Sequence, residues 1–250
     1  MFIPVYNCSV QLRRVLQSLA DGPAARFLAI LVIDNLSQDS SASVALEFRA
    51  RIPHLRVLQN VRNINLGGSH KVAFLEAERL GATHLAVLHG DDQAVVSELN
   101  GFLDYAADHP DCEAVLGSRF MKGSRLHGYD LKRVVGNRIL NVFFTLFVGR
   151  PCRDLGSGLN LFRLSAFADH AYLRFEDAIT FNVEILLALL HRSKHLKFLP
   201  ITWRETDQRS NASNFRVAKR ALEHLFRSRS ARWVTPPTGR APYDQYRELA

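Results

Sequence analysis

The sequence predicts an α/β fold in which helices cover both faces of a mostly parallel central sheet. Short apolar runs alternate along the chain with segments of helical periodicity, which is the pattern of parallel strands joined by helices. The run from Phe27 to Ile33 is apolar at every position, as expected of a strand buried on both faces. The chain has 250 residues, 47% hydrophobic and 22% charged, so its composition is that of an ordinary globular protein.

The first 118 residues carry most of this alternation. Their apolar runs predict five strands: Phe2 to Val5, Phe27 to Ile33, Leu55 to Leu58, His84 to Leu88, and Ala114 to Leu116. The spacing of apolar residues predicts four helices: Val10 to Ala20, Ser40 to Arg51, Ser69 to Leu80, and Glu98 to Ala107.

Beyond residue 118 the alternation is less regular. We expect three helices there, Leu131 to Phe147, Phe181 to His191 and Phe215 to Arg229, and one strand, Leu196 to Ile201. The stretch RDLGSGLNLFR, residues 153–163, is expected to be irregular, and the Pro-rich tail, residues 231–250, to be loosely ordered. We therefore expect one domain over residues 1–230.

The charge and cysteine content limit the class of protein. A net charge of +8 favours an anionic partner, such as nucleic acid, an acidic membrane face or a phosphorylated small molecule. The three cysteines are far apart and predict neither a disulfide framework nor a zinc cluster, so we expect a cytoplasmic location. No apolar run reaches the ~18 residues of a membrane span, and the N-terminus lacks the pattern of a signal peptide.

Polar residues follow four of the predicted strands at the point where each strand ends. They are Tyr6-Asn7, Asp34-Asn35, Asn63 to Gly68, and His89 to Gln93. Because ligands of open parallel sheets bind beyond the carboxyl ends of the strands, these groups predict a binding site at one edge. Turn chemistry accounts for one or two of them more readily than for all four.

Two pairs in this set each have two interpretations. Asp91-Asp92 follows a buried strand and offers the oxygen ligands that Mg²⁺ and Mn²⁺ prefer, although a solvated acid pair capping a helix gives the same pattern. Gly67-Gly68 stands where a helix begins, and backbone amides there can bind a phosphate. An ordinary glycine pair at a helix start is the alternative.

Six segments, taken in order, resemble the motifs of family 2 glycosyltransferases. They are IPVYN (3–7), VIDNLSQDS (32–40), NINLGGSHKVA (63–73), LHGDDQ (88–93), GSRF (117–120) and DLGSGLNLFR (154–163). Their order is most similar to that of the polyprenyl-phosphate branch, the dolichyl-phosphate mannose synthase-like enzymes, and WRETDQRSNAS (203–213) resembles the acceptor loop of that branch. The resemblance implies a Rossmann-like nucleotide-diphospho-sugar transferase fold, with a nucleotide-sugar half at 1–118 and an acceptor half at 119–230.

The resemblance also implies roles for individual residues. The expected nucleotide-binding residues are Pro4, Tyr6, Asn7, Asp34, Asn63 and Gly67, with the carboxylate of Asp34 accepting an N–H of the base. Asp91 matches the last carboxylate of the Asp-x-Asp motif, so Mg²⁺ or Mn²⁺ is expected at Asp91, Asp92 and His89. On the acceptor side, Asp154 is the candidate base, and the groups expected near the acceptor or its phosphate are Arg119, Arg209 and Ser210.

Two positions depart from the family pattern. Asn35 stands where relatives commonly have a second aspartate, and His89 stands where they have the first aspartate of Asp-x-Asp. His89 can be a metal ligand, a partner of a ligand, or a residue with no metal role. These departures leave a degenerate, non-catalytic relative as a distant alternative.

The segment from Arg119 to Arg153 is both basic and apolar. It holds eight basic residues against one acid, Asp130, a local net charge of +7. The apolar residues Val142 to Phe144 and Leu146 to Val148 lie within it, which favours contact with lipid headgroups, although a core helix beside a solvated loop is the alternative.

Three hypotheses follow for function. The leading one is an inverting transferase that moves a sugar from a nucleoside diphosphate to a polyprenyl phosphate at the cytoplasmic membrane face. The second has a saccharide acceptor in cell-envelope assembly, in which case Asp154 must remove a proton. The third is a non-catalytic binding module. No zinc pattern or RNA-binding aromatic motif is present, so nucleic acid is not the expected partner.

Overall fold

The computed structural model describes residues 1–192, 195–205, 207, 214–230, 243 and 245–250. The helices are α1 Ser9–Ala20, α2 Ser41–Glu47, α3 Asn65–Arg79, α4 Leu99–Asp108, α5 Leu131–Val148, α6 Phe181–Arg192 and α7 Asn214–Arg227. The strands are β1 Phe2–Val5, β2 Ile30–Asp34, β3 Leu55–Asn60, β4 His84–Leu88, β5 Ala114–Ser118, β6 Arg125–His127, β7 Leu159–Arg163, β8 Leu196–Pro200, β9 Thr202–Arg204 and β10 Tyr246–Leu249.

Eight of these strands form one sheet in the order β10-β3-β2-β1-β4-β7-β5-β8. The neighbours β3, β2, β1 and β4 are parallel, as are β5 and β8. β7 runs antiparallel between β4 and β5, and β10 runs antiparallel along β3. The predicted α/β class with a mostly parallel sheet is confirmed.

Hydrophobic cores lie on both faces of the sheet. Along β2, Ile30 and Val32 pack in the core that contains α1, α2 and α4, whereas Leu31 and Ile33 pack in the core that contains α3 and α6. This alternation follows from the two-residue period of a strand. Because both faces are covered, Ile30 to Ile33 are all apolar, as the sequence indicated. The first three residues of the predicted strand lie outside β2, and Leu28 is 67% exposed.

Helix α5 has clear signals at both ends. The carboxylate of Asp130 accepts a hydrogen bond from the backbone N–H of Arg133 at 3.0 Å, which caps the first turn. Gly149, with φ of 75°, ends the helix in the left-handed conformation that glycine adopts without strain. Within the described ranges, no helix has the length and hydropathy needed to cross a bilayer.

Four strands were not predicted from the sequence. β7 lies within the stretch expected to be irregular, because the glycines at 156 and 158 obscured a short apolar run that pairs with distant strands. β6 and β9 have three residues each and form a separate two-stranded sheet, with an isolated bridge from Trp203 of β9 to Ala94. β10 corrects the expectation of a loosely ordered tail for residues 246–249, since these residues pair with β3 and the carboxylate of Glu248 binds Arg56.

Candidate functional site

A cleft of about 810 Å³ opens at the carboxyl ends of β1 and β4. One wall consists of these strand ends and the start of α3, and the opposite wall consists of residues from α5 and α7. Each of the four strand ends that the sequence singled out therefore contributes at least one residue to one cavity, in accordance with the topology of open parallel sheets. The two walls differ in chemistry.

Three of the six predicted nucleotide-binding residues line the cleft, namely Pro4, Tyr6 and Asn63. Tyr6 is 47% exposed, so its ring presents a free face to a ligand. The side chain of Asn63 is held in place, because its oxygen accepts hydrogen bonds from the side-chain amide of Asn35 at 2.8 Å and from the backbone of Asn65 at 2.9 Å.

The side chains of Asp34 and Asn7 bind other parts of the protein. Asp34 is fully buried, and its carboxylate accepts hydrogen bonds from the side chain of Gln59 at 2.7 Å and from the backbone N–H of Ser37. The side-chain oxygen of Asn7 accepts from the backbone of Gln38 at 2.7 Å. A direct contact between Asp34 and a base requires that Gln59 first release the carboxylate, which corrects the simplest form of the prediction.

Gly67 has a structural role that the sequence did not show. Its backbone N–H donates to the carbonyl of Asp177 at 2.6 Å, so this amide is not aimed at a phosphate. A Cβ atom at position 67 would lie 2.4 Å from the carbonyl oxygen of Glu176. Glycine is required here because the 176–177 backbone approaches the start of α3 closely.

His89 and Asp91 meet on the strand-end wall of the cleft. The Nδ1 atom of His89 lies 4.0 Å from an Asp91 carboxylate oxygen. Burial raises the pKa of Asp91 to about 6, so it is ionised at neutral pH. Burial, aided by the positive charge of Arg119, lowers the pKa of His89 to about 4, so its imidazole is neutral.

The residues at this point fit a divalent cation. Asp91 supplies a carboxylate oxygen and His89 a neutral nitrogen, and both line the cleft. The Nε2 atom of His89 is buried and has no hydrogen-bond partner within the described residues. Asp92 does not line the cleft in this structure, because its carboxylate lies 2.6 Å from Nε of Arg14, and its metal role stays a prediction.

Asp154 and Arg119 form a buried ion pair beside the end of β5, where Arg119 also packs against the Trp203 ring. The Nε and Nη2 atoms of Arg119 each donate to a carboxylate oxygen at 2.8 Å, and its backbone N–H donates at 2.9 Å. The Asp154 side chain is only 1% exposed. Both oxygens of the buried carboxylate accept hydrogen bonds from Arg119, which fixes the orientation of the guanidinium, and the role of Asp154 as a base stays a prediction.

Cations line the cleft at the start of α5. Besides Arg119, the residues Lys132 and Arg133 face the cleft. Arg133 binds Glu205 at 2.5 Å, and its Nε atom is buried without a hydrogen-bond partner in the described part of the chain. The sequence marked this segment as basic but did not single out Lys132 or Arg133, because only the fold shows which cations face inward. Arg209 and Ser210, the other predicted acceptor residues, lie outside the described residues.

Comparison with known proteins identifies the class to which this fold and cleft belong. The chain superposes on glucosyl-3-phosphoglycerate synthase from Mycobacterium tuberculosis, solved with Mn²⁺, UDP and glucosyl-3-phosphoglycerate. The TM-score is 0.65 at 13% identity, over 95% of this chain and 80% of that one. It also superposes on S. aureus TarS 1-349 in complex with UDP-GlcNAc, with a TM-score of 0.60 at 17% identity, over 89% of this chain and 65% of that one. The fold is that of a nucleotide-sugar transferase.

The sequence comparisons are more specific. The profile of Glycosyl transferase family 2 matches residues 1–170, so the chain belongs to this family and is a glycosyltransferase that uses nucleotide sugars. The chain is also 23% identical over 230 residues to polyprenol monophosphomannose synthase from Mycolicibacterium smegmatis, which covers 87% of this chain and 83% of the relative. The resemblance inferred from the motifs is therefore confirmed.

Proposed function

We propose that this enzyme transfers a sugar from a nucleoside diphosphate to a polyprenyl phosphate at a membrane surface. The observation that carries the proposal is the acceptor-side wall, where Arg119, Lys132 and Arg133 face the cleft beside an exposed apolar helix. The cations can form ion pairs with a phosphate group, and the apolar surface can contact a polyprenyl chain. The named relative, a polyprenol monophosphomannose synthase, supports the same acceptor class.

The apolar helix is α5, and its exposed residues share one face. They are 41–77% exposed and recur at helical spacing: Leu131, Val135, Ile139, Val142, Phe143 and Leu146. We call this set the α5 stripe. Phe144, which the sequence grouped with the exposed residues, is fully buried in the core. An apolar stripe flanked by Lys132 and Arg138 has the composition of a helix that lies at an anionic lipid surface.

A phosphate acceptor removes the need for a strong base. Its second pKa lies near 6, so the attacking oxygen is already anionic at neutral pH. In the proposed inverting reaction, this oxygen bonds to the anomeric carbon as the bond from that carbon to the diphosphate breaks. The role of the Arg119–Asp154 pair is then to bind and orient the acceptor phosphate, which agrees with the hydrogen bonds from Arg119 to both oxygens of the carboxylate.

The strand-end wall is the proposed donor site. Tyr6 and Asn63 are placed to contact the nucleoside, and Asp91 with His89 to hold Mg²⁺ or Mn²⁺. The chemistry that a divalent cation supplies there, when bound, is neutralisation of the charge that develops on the departing nucleoside diphosphate. The two walls thus separate the tasks of donor binding and acceptor binding.

A transfer assay with matched acceptors tests the proposal. Labelled GDP- and UDP-sugars are incubated with the enzyme, a divalent cation, and either a polyprenyl monophosphate or the corresponding polyprenol. We expect a lipid-linked sugar phosphate from the monophosphate and none from the polyprenol. Transfer to a free saccharide without transfer to the monophosphate would instead establish the saccharide-acceptor alternative.

The membrane contact has its own test. Leu146, at 77% exposed, is replaced by Glu, and binding to anionic vesicles is measured by flotation. The substitution should weaken binding without lowering the melting temperature, because the residue makes few contacts within the protein. Val10→Glu, at a site that is 63% exposed on α1, is the matched control and should leave vesicle binding unchanged. Equal binding by all three proteins would contradict the role of the α5 stripe.

A further inference from the structure

The ring of His89 is held rigidly in the strand-end wall. Its backbone N–H donates to the carbonyl of Gly158 at 3.0 Å. A Cβ atom at position 158 would approach Cγ of His89 to 2.8 Å and Cη2 of Trp203 to 3.1 Å. The glycine therefore leaves the space that the two rings fill, and the imidazole has little freedom to move.

The ring nitrogens of His89 are not used in ordinary structural contacts. Nε2 is buried without a hydrogen-bond partner in the part of the chain that the structure describes. Nδ1 lies 4.0 Å from the Asp91 carboxylate, beyond hydrogen-bond length. Buried polar atoms in native proteins are nearly always hydrogen-bonded, so the unpartnered Nε2 is an exception. Nδ1 is the nitrogen that faces Asp91, and a cation bound between the two groups would contact this atom.

We propose that His89 is a direct ligand of the donor-site cation and that it makes this site select Mn²⁺ or Co²⁺ over Mg²⁺. The inference rests on the donor site proposed above. Mg²⁺ prefers oxygen ligands and retains its waters, whereas first-row transition ions bind imidazole nitrogen well. One oxygen from Asp91 and one nitrogen from His89 make a mixed donor set that favours the transition ions.

The geometry requires only a small adjustment. A cation with bonds of about 2.1 Å holds adjacent ligand atoms about 3 Å apart. The 4.0 Å between Nδ1 and the Asp91 oxygen closes by rotation of the Asp91 carboxylate, whose side chain is 22% exposed. Asp92, bound to Arg14, does not supply a second carboxylate that would restore an all-oxygen site.

Pulsed electron paramagnetic resonance tests the ligation directly. The protein is loaded with Mn²⁺ and GDP and, in parallel, with Mn²⁺ and UDP, and the spectrum is examined for coupling to a coordinated ¹⁴N nucleus. We expect nitrogen coupling in the wild type and its loss in His89→Asp, which still binds Mn²⁺. His70→Phe is the control for a nearby imidazole, since its ring centroid lies 6.4 Å from that of His89, and it should retain the coupling.

Calorimetry measures the metal selectivity of the site. The dissociation constant of each nucleotide is measured with Mn²⁺, Co²⁺ and Mg²⁺. The wild type should bind at least ~10-fold more tightly with Mn²⁺ than with Mg²⁺, and His89→Asp should reduce that ratio to roughly 3-fold or less.

The outcomes distinguish this inference from the proposed function. A bound Mn²⁺–nucleotide complex without nitrogen coupling in the wild type would overturn the role of His89 and leave the donor site intact. The role of His89 would also be overturned if the ratio of the nucleotide dissociation constants with Mg²⁺ and with Mn²⁺ were equal in wild type and His89→Asp. Failure of both nucleotides to bind with any of the three ions would overturn the donor site itself.

Discussion

The polar groups on the two walls of the cleft make different contacts. On the donor side, conspicuous polar residues bind other protein groups: Asp34 is held by Gln59, and Asp92 by Arg14. On the acceptor side, Lys132 and Arg133 face the cavity, and the α5 stripe is exposed beside them. The strand-end wall, proposed for the donor, therefore has several of its polar groups fixed by other protein groups, whereas the α5 wall, proposed for the acceptor, presents cations beside exposed apolar surface.

The largest expected effect tests the buried ion pair between Arg119 and Asp154. Arg119→Ala leaves Asp154 as an uncompensated buried charge and should destabilise the protein by about 3–5 kcal/mol. Arg26→Ala, which breaks an exposed pair with Asp104 in the donor half, should cost less than about 1 kcal/mol. Denaturant unfolding measures both. Equal costs would show that burial does not distinguish the two pairs.

The next prediction concerns the glycine at the start of α3. Gly67→Ala should destabilise the protein by about 1–3 kcal/mol, because the added methyl meets the Glu176 carbonyl. Gly101→Ala is the control, because a Cβ atom at this position of α4 would have no neighbouring atom within 4 Å. Alanine there should stabilise the protein by up to about 1 kcal/mol. Unfolding midpoints of the two variants should move in opposite directions. A neutral Gly67→Ala would mean that the 176–177 segment is not tightly packed.

A smaller, pH-dependent effect is expected behind the acceptor wall. The carboxylate of Glu184 in α6 accepts a hydrogen bond from the backbone N–H of Glu176 at 2.7 Å and lies 3.3 Å from His224. Burial raises the pKa of Glu184 to about 7. Since its folded-state pKa exceeds the unfolded value of 4.5, its contribution to stability is present below pH 4.5 and is lost as the pH rises to about 7.

Glu184→Gln isolates this titration. The variant should gain stability over the wild type across that pH range, by on the order of 1 kcal/mol, because the amide cannot ionise. Thermal unfolding from pH 4.5 to 8 provides the measurement. A difference between the two proteins that does not change with pH would contradict the assignment.

The smallest effect is expected at the sheet edge. Glu248 of β10 pairs with Arg56 of β3, and its side chain is 41% exposed. Glu248→Gln should cost less than about 1 kcal/mol, because Arg56 keeps its contact with Glu76 and the lost pair is partly solvated. Denaturant unfolding is again the measurement. A loss of several kcal/mol would show that β10 anchors the edge far more strongly than its exposure suggests.

The sequence predicted residues 1–118 better than the residues that follow them, for a physical reason. Parallel strands such as β2 are buried on both faces, so a continuous apolar run identifies them locally. Strands β7 and β10 exist only because distant segments pair with them, and no local pattern marks such pairing.

The same limit applies to the candidate site. Motifs located Asp91 and His89, which line the cleft, but they gave no sign that Arg119 would neutralise Asp154 or that Gly67 would donate to Asp177. Lys132 and Arg133 are two of eight basic residues in one segment, and only the packing of α5 selects them.

Two binding titrations test most directly whether the two walls of the cleft bind different ligands. Binding of GDP or UDP with Mn²⁺, and binding of a short-chain polyprenyl monophosphate, are measured separately on wild type, Asp91→Asn and Lys132→Met. Asp91→Asn should lose nucleotide binding and keep the lipid phosphate, and Lys132→Met should weaken the lipid phosphate and keep the nucleotide. Loss of both ligands in both variants, or no binding of the lipid phosphate to the wild type, would contradict the account.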